Sequence, residues 1–314
     1  MKSIRQTTLG SSVTVTGIGV HSGMPVTVSL GPADADSGYL FIRTGLDGAD
    51  REVRASADAV IATEFATVLG DTDGPLVSTA EHVLASLRGM GVDNATIEID
   101  GPEVPIMDGS AAPFVDAIDH AGVIELATPR RFIEVLKPVR VVIGASVGEL
   151  VPYANGFRAD VEINFAHPQI GRQAFTFEMS AASFRGDICR ARTFGCMEDQ
   201  AKLWSAGYAR GASLENTIVY DSKRILNLEG LRYRDEFVRH KVLDVVGDLA
   251  LAGLPLLGRY NAVRPGHKLN NAVLRALLAD RSAWRIVDAE PIRRRRGHAD
   301  VAGAVAAAFG PEVS

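Results

Sequence analysis

Alternation of apolar and polar residues predicts that the chain begins with sheet. It runs over residues 12–20, with Val13 and Val15 at apolar positions, and again over 26–30, and a period of two is typical of strands. Over Ser78–Met90 the apolar residues instead recur at i, i+3, i+4 and i+7, which predicts an amphipathic helix. The same criteria predict further strands at 95–99, 104–106, 132–136, 139–143, 159–165 and 174–177, and helices at 113–122, 180–184, 235–251 and 267–278.

These segments divide the chain into two halves of similar make-up. The pattern breaks at Thr128–Arg131 and strands then resume, so we predict one domain over 1–128 and a second over 129–290. Each half contains runs of strands with helices grouped in pairs and no regular strand–helix alternation, which indicates the α+β fold class. The tail at 291–314 has consecutive arginines followed by small residues, and we expect it to be weakly ordered.

Composition and charge narrow the class of protein. Of 314 residues, 46% are hydrophobic and 23% are charged, as in globular chains and unlike disordered ones. The formal net charge of −5 provides no global positive field, so nucleic acid is not an expected partner. The two cysteines, Cys189 and Cys196, cannot form a disulfide framework, and no apolar run approaches about 18 residues. We therefore expect a cytoplasmic protein without a transmembrane segment.

A glycine-rich segment, Gly17–Gly23, imitates the fingerprint of dinucleotide-binding proteins. Its third glycine comes one position late, and no strand–turn–helix context follows. The segment therefore does not predict a dinucleotide cofactor.

Polar residues recur along one face of the predicted helix 235–251. His240, Asp244 and Asp248 stand at i, i+4 and i+8, and their neighbours are apolar, so this face is predicted to be buried. Because an unpaired buried carboxylate is costly, something must satisfy these charges. A divalent metal held by imidazole and carboxylate would do so, and so would an ordinary His–Asp pair. The spacing leaves both interpretations open, and metal binding needs a third ligand.

The helix of the first half offers that ligand. His82 would complete a set of two histidines and one aspartate, and three protein ligands leave a position for water, as in catalytic zinc sites. Zinc lowers the pKa of such a water towards about 7, and Glu81 is placed to take its proton. Alternatively, Ser78 and Glu81 form a capping box, in which Glu81 merely bonds the Ser78 amide. The sequence leaves these two interpretations of Glu81 open.

His267 follows a glycine at the start of the predicted helix 267–278. If it is paired with Asp248, its imidazole stays protonated near neutral pH and can donate a proton to a leaving amine. The alternative is an ordinary surface cap.

Five motifs, in chain order, resemble those of one enzyme family. They are Ser78–Leu84, Glu103–Ser110, Arg190–Gly195, Arg234–Asp248 and Gly266–Asn271. The resemblance runs from Arg5 to Val287, and on it the sequence is identified as a member of the UDP-3-O-acyl-N-acetylglucosamine deacetylase family. It implies a zinc enzyme, in which ferrous iron could replace zinc. The implied reaction removes acetate from the glucosamine nitrogen in the committed step of lipid A biosynthesis.

The resemblance also implies a role for each candidate residue. The zinc ligands that it implies are His82, His240 and Asp244. Glu81 matches the general base, and His267 matches the general acid with Asp248 as its partner. Thr193 matches a hydroxyl that helps zinc to hold the tetrahedral oxyanion.

The implied partner is a UDP-sugar that carries a fatty acyl chain. Lys241 matches a lysine that binds the diphosphate, and Phe194 is also expected to bind substrate. Phe165 matches an aromatic residue that stacks on uracil, although strand core is the simpler interpretation. The segment 194–220 resembles a βαβ insert whose apolar lining receives the acyl chain. The apolar side chains available there are Met197, Leu203, Trp204, Leu214 and Ile218.

The implied fold is a pair of similar α+β domains, each a sheet with two helices. The helix layers pack between the two sheets, the second domain carries the βαβ insert, and the metal lies at the domain interface. We expect the protein to be a monomer.

Two rival functions remain at this point. Two histidines and one carboxylate also describe non-haem Fe(II) oxygenases, although those usually take a His-x-Asp spacing on a strand. The second rival is a non-catalytic nucleotide-sugar binding module in which the histidines are structural. Acetate release without oxygen uptake excludes the first rival, and any turnover excludes the second.

Overall fold

The computed structural model describes residues 4–45 and 49–289. The tail that we predicted to be weakly ordered, at 291–314, lies outside the described residues. In the part that is described, no helix is long and apolar enough to cross a membrane.

Strands dominate the first half of the chain, and two helices accompany them. The strands are β1 (Arg5–Leu9), β2 (Val13–Ile18), β3 (Pro25–Gly31), β4 (Tyr39–Arg43), β5 (Arg51–Arg54), β6 (Val60–Ala62), β7 (Val68–Asp71), β8 (Gly74–Val77), β9 (Ala95–Ile99) and β10 (Val123–Pro129). The main sheet has the strand order β2-β3-β9-β4-β5, and β6-β7-β8 form a small separate sheet. The alternation that predicted β3 is present in the structure, because Val26, Val28 and Leu30 are all buried on one face of the strand.

The helices of the first half begin and end at residues that favour these positions. They are α1 (Glu81–Met90) and α2 (Ala112–Ala121). Gly91 ends α1 in the left-handed conformation with φ of 79°, which glycine adopts without strain. Pro113 lies in the first turn of α2, where its missing N–H costs nothing, and Gly122 caps the other end.

The second half is built around one long central strand. Its strands are β11 (Arg131–Val135), β12 (Val139–Ile143), β13 (Ser146–Val151), β14 (Phe157–Asn164), β15 (Arg172–Glu178), β16 (Phe194–Cys196), β17 (Ile218–Tyr220), β18 (Leu256–Val263) and β19 (Trp284–Asp288). β18 pairs antiparallel with β13 and parallel with both β11 and β14. The helices are α3 (Ala181–Ser183), α4 (Gln200–Ser205), α5 (Glu236–Ala250) and α6 (His267–Ala279).

The helices form the layer that joins the two halves. α1 packs against α5, α2 lies on β2 of the first sheet, and α5 and α6 lie on strands β12–β15 of the second. α1 and α5 touch at Gly247, where an added Cβ would stand 2.1 Å from the carbonyl oxygen of Glu81. Only glycine allows this backbone approach. The α+β class with helices between sheets is therefore confirmed.

The predicted βαβ insert is also present. β16 and β17 pair in parallel, with Phe194 opposite Ile218, and α4 lies between them in the chain.

One local prediction was wrong and one was incomplete. The segment 104–106 is not a strand: Val104 donates to Ser78 and Ile106 to Ile18, while Pro105 between them has no N–H to continue a ladder. The predicted helix at 180–184 is only the start of a longer helical segment, because α3 continues as a π-helical turn over Phe184–Ile188.

Candidate active site

Three buried side chains converge where α1 crosses α5. His82 projects from α1, and His240 and Asp244 project from α5 one turn apart, with potential ligand atoms all within 4.8 Å of one another. The Nε2 of His240 lies 3.4 Å from Asp244 Oδ1, and the Nε2 of His82 lies 3.9 Å from the same oxygen. The sequence predicted the His240–Asp244 pair from spacing and named His82 as the candidate third ligand, and the structure brings His82 of the other half next to that pair.

The chemistry of these donors fits a divalent cation. His240 donates from Nδ1 to the carbonyl of Ala191 at 3.0 Å, so its Nε2 lone pair faces the group. Burial, together with His240, lowers the pKa of His82 to about 3, and burial also lowers the pKa of His240. Burial opposes ionisation of Asp244, but Lys241 and His240 hold its pKa far below the usual range. Two neutral imidazoles and one carboxylate are a typical zinc donor set.

Lys241 follows His240 on α5 and forms an ion pair with one of the candidate ligands. Its Nζ lies 2.7 Å from Asp244 Oδ2, because a long side chain at i reaches a carboxylate at i+3. It also lies 5.3 Å from the centroid of the Phe194 ring. Lys241 is therefore placed beside the ligand group.

Glu81 points into the same region and does not cap its helix. α1 begins after Ala80, and the amide of Ser78 donates to Pro102, so the capping-box interpretation is wrong. The Oε2 of Glu81 instead accepts from the amide of Thr67 at 3.0 Å. Burial, aided by nearby carboxylates and opposed by His267, raises the pKa of Glu81 to about 7.

His267 faces Glu81 across the site. It begins α6 and is buried, so the surface-cap interpretation is wrong. Its Nδ1 lies 2.9 Å from Asp248 Oδ2, and its Nε2 lies 3.8 Å from Glu81 Oε1. Burial alone would lower the pKa of His267, but Asp248 and Glu81 raise it to about 10. The imidazole is therefore protonated near neutral pH.

Asp248 is held by neighbours that the sequence did not reveal. Thr67 donates to its Oδ1 at 2.6 Å, and Asn270 donates to its Oδ2 at 2.8 Å. Tyr260 in turn donates to Asn270 at 2.9 Å, and all of these groups are buried. Asn270 stands three residues after His267 on α6, so helical spacing was a usable signal for it. No local pattern marks Thr67 or Tyr260.

A buried ion pair fixes the segment that contains Thr193. Arg192 donates from its backbone amide and its Nε to Glu236 at 3.0 and 2.9 Å, and both side chains are buried. The pair ties this segment to the first turn of α5. Thr193 itself donates its amide to Gly109 and accepts from Ile218, and it lines the cavity beside His82.

Beside Glu81 and His82 lies a cavity of about 330 Å³ that both halves line. Glu81, His82 and Thr193 lie at one part of its wall, and the insert supplies much of the apolar remainder. Of the apolar insert residues that we named, Trp204 is 53% exposed and Ile218 is fully buried, so neither lines the cavity. Those that do line it are Met197, Leu203 and Leu214.

The two predicted substrate-binding aromatics contact each other, and Phe194 lies next to the ligand group. Phe165, half-buried just after β14, contacts Phe194 edge to face with ring centroids 5.7 Å apart. Phe194 also lies 6.0 Å from the ring of His240. Phe165 packs against the hydrophobic core, and the Phe194 ring also lies near Lys241.

Comparison with known proteins identifies the family of the chain. The family described as "LpxC: UDP-3-O-acyl N-acetylglycosamine deacetylase" matches residues 6–279. A protein of Brucella ovis named UDP-3-O-acyl-N-acetylglucosamine deacetylase is 48% identical over 285 residues, which covers 90% of this chain and 99% of that protein. A protein of the same name from Brucella melitensis is 47% identical over the same share. This chain belongs to the UDP-3-O-acyl-N-acetylglucosamine deacetylase family.

Proposed function

We propose that the chain hydrolyses the N-acetyl group of UDP-3-O-acyl-N-acetylglucosamine and releases acetate, in the committed step of lipid A biosynthesis. The observation that carries this function is the placement of Glu81 and His267, whose side chains are 3.8 Å apart, beside the His82, His240 and Asp244 group. A base and an acid beside a cation site are the parts that amide hydrolysis requires.

The metal that we propose is zinc, held by His82, His240 and Asp244, and ferrous iron is the alternative. When bound, such a cation polarises the acetyl carbonyl and increases the acidity of a water molecule. The hydrogen bond from His240 to Ala191 supports the assignment, because it fixes the ring with Nε2 towards the cation site.

Glu81 and His267 each perform one of the two proton transfers. Glu81 takes a proton from the attacking water as the oxygen bonds to the acetyl carbon. Its pKa of about 7 makes it an effective base near neutral pH. When the carbon–nitrogen bond breaks, His267 donates a proton to the departing amine, and Asp248 stabilises the charged imidazole. The products are acetate and the free amine.

Thr193 is assigned to the oxyanion of the tetrahedral intermediate. It lines the cavity beside His82, and its backbone is fixed at both its N–H and its carbonyl. A threonine whose backbone is fixed in this way can present its hydroxyl to a developing negative charge.

The remaining groups bind the substrate. Lys241 would bind the diphosphate, Phe165 would stack on uracil, and Phe194 would line the path between them. The acyl chain would enter the apolar part of the cavity at Met197, Leu203 and Leu214. The two free cysteines, Cys189 and Cys196, support our proposal of a cytoplasmic enzyme. The monomeric state stays a prediction.

Both rivals differ from this function in what they consume or release. An oxygenase does not require an acid–base pair beside its metal, and a binding module does not require a buried protonated His267. The test is metal analysis of the purified protein, with acetate release measured on the acylated nucleotide sugar under air and under nitrogen. Equal acetate release in both supports the hydrolase. Dependence on oxygen, or absence of acetate, would overturn it.

A further inference from the structure

The glycine-rich segment Gly17–Gly23 forms an anion-binding loop whose anion comes from the chain itself. It joins two antiparallel strands, and its successive amides, from His21 and Ser22, both point at the carboxylate of Glu103. The distances are 2.9 Å to Oε1 and 2.8 Å to Oε2. Consecutive amides that converge in this way make a concave anion site. Gly19 is required there, because a Cβ would stand 2.2 Å from Glu103 Oε2.

The same carboxylate holds the segment that leads to the catalytic base. Thr79 donates from Oγ1 to Glu103 Oε1 at 2.9 Å, and both residues are buried. Thr79 has φ of 56°, a left-handed conformation that is unfavourable for a β-branched residue. It precedes Glu81 by two residues and lines the cavity. Glu103 therefore stabilises a strained turn at the entrance to α1.

The other side of the loop holds the insert. The amide of Arg210 donates to the carbonyl of His21 at 3.2 Å, and that of Gly211 donates to the carbonyl of Val20 at 3.0 Å. The amide of Ala209 donates to the His21 ring at 3.3 Å. These bonds join the return segment of the insert, 209–211, to the first half of the chain.

The fit between loop and insert is close. A Cβ at Gly211 would stand 2.3 Å from the carbonyl oxygen of Gly19. The Tyr208 ring also packs on this region, with its centroid 5.3 Å from that of His21 and 4.9 Å from that of Phe65. The contact therefore forms part of the cavity wall, because His21, Phe65 and Ala209 all line the cavity.

We propose that Glu103 is a positioning residue for the deacetylase. Its buried carboxylate accepts from the amides of His21 and Ser22 in the anion-binding loop, and the loop in turn holds the insert segment 209–211 against the cavity. It thereby sets how well the enzyme selects for the acyl chain without contacting the substrate. The selectivity part rests on the proposed function, whereas the docking part does not. A neutral amide at position 103 would offer an NH₂ group to these donors in place of one acceptor oxygen. Loop and insert should then separate.

The first test is amide hydrogen exchange on the full chain, wild type against E103Q. We expect the Arg210 and Gly211 amides to exchange at least about tenfold faster in the variant. The amide of Ile218, which donates to Thr193 just before the insert begins, is the internal reference and should not change. E98Q, on the exposed face of β9, is the matched control. Unchanged exchange at Arg210 and Gly211 in E103Q would overturn the proposal.

The second test compares kcat/KM for substrates with long and short acyl chains. E103Q should reduce the preference for the long chain by about tenfold, whereas a merely structural role would lower Tm and leave the ratio unchanged. If E103Q does not fold, G211A tests the contact between loop and insert directly, because its methyl would stand 2.3 Å from the carbonyl oxygen of Gly19. An unaltered ratio in the folded variant would refute the selectivity role. Absence of wild-type turnover would instead reject the proposed function and leave the exchange result standing.

Discussion

Glu81 and His82 are neighbours in sequence with different roles at the site. The imidazole of His82 faces the ligand group from α1, while the carboxylate of Glu81 accepts from Thr67 and faces His267. Substitution of each residue should therefore affect different properties. We expect E81A to reduce kcat by about 10²–10⁴-fold, the usual contribution of a general base, and to leave the metal content unchanged.

The measurement for E81A is acetate release together with metal content by mass spectrometry. H82A serves as the comparison variant and should lose both metal and activity. Undiminished turnover in E81A would show that Glu81 is not the general base.

The pair of Glu81 and His267 also predicts a bell-shaped pH profile. Activity should rise with pH as Glu81 ionises, with its pKa near 7, and fall as His267 loses its proton, with its pKa near 10. H267Q should lower the rate by about 10²-fold or more and abolish the alkaline limb. The check is kcat/KM measured from pH 5 to about 11 for both proteins. An intact alkaline limb in H267Q would contradict the acid role.

Single residues differed in how far the sequence revealed them. His240, Asp244 and Asp248 were visible because helical spacing places them on one face. Thr67 and Tyr260 were not, because each reaches the site from a strand region whose local pattern reports only burial. The role of Glu81 was ambiguous because a capping box and a general base need the same residue types.

At the scale of elements, the crossing of α1 and α5 controls the geometry of the site. Gly247 allows the two backbones to touch, with the Glu81 carbonyl 2.1 Å from where a Cβ would be. We expect G247A to lower the free energy of unfolding by about 1–3 kcal/mol through overpacking. It should also weaken zinc binding, because the crossing places His82 beside α5.

The measurement for G247A is urea unfolding with and without zinc. G186A is the matched control, since a methyl there meets no atom within 4 Å. Equal stability of G247A and wild type would show that the helices cross differently.

Asp160 links three strands of the second sheet. Asp160 lies on β14, and its carboxylate accepts hydrogen bonds from Arg158, from Thr176 on β15 and from Arg259 on β18. Burial opposes its ionisation, but Arg158 and Thr176 lower the pKa of Asp160 to about 2. A lowered pKa stabilises the fold above the unfolded value of about 4, and that stability is lost as pH falls towards 2.

We therefore expect D160N to be about 1 kcal/mol less stable than wild type at pH 7 and equal to it near pH 2. Urea unfolding at several pH values measures this. A difference that does not depend on pH would contradict the assigned pKa.

Elements with strong periodicity were predictable, and elements defined by tertiary pairing were not. β3, α1, α2, α5 and α6 have amphipathic patterns, and the sequence located them closely. β18, the centre of the second sheet, was missed because the pattern over 256–263 includes glycine, arginine and asparagine. The segment 104–106 has strand composition, yet Pro105 and two separate acceptors keep it out of a sheet.

At the scale of the whole molecule, the site exists only where the two halves meet. The first half contributes His82 and Glu81, the second contributes His240, Asp244 and His267, and α1 against α5 brings them together. Local patterns could suggest the ligands but could not bring distant segments together. The resemblance to a family supplied that link, and the structure supplied the distances.

The central claim is that both halves hold one cation. Its most direct test is anomalous diffraction at the zinc edge from crystals of the zinc-loaded protein. We predict one strong peak at about 2.0–2.2 Å from His82 Nε2, His240 Nε2 and an oxygen of Asp244. The account would be contradicted if protein that releases acetate gave crystals in which the zinc peak is not bound by both His82 and His240.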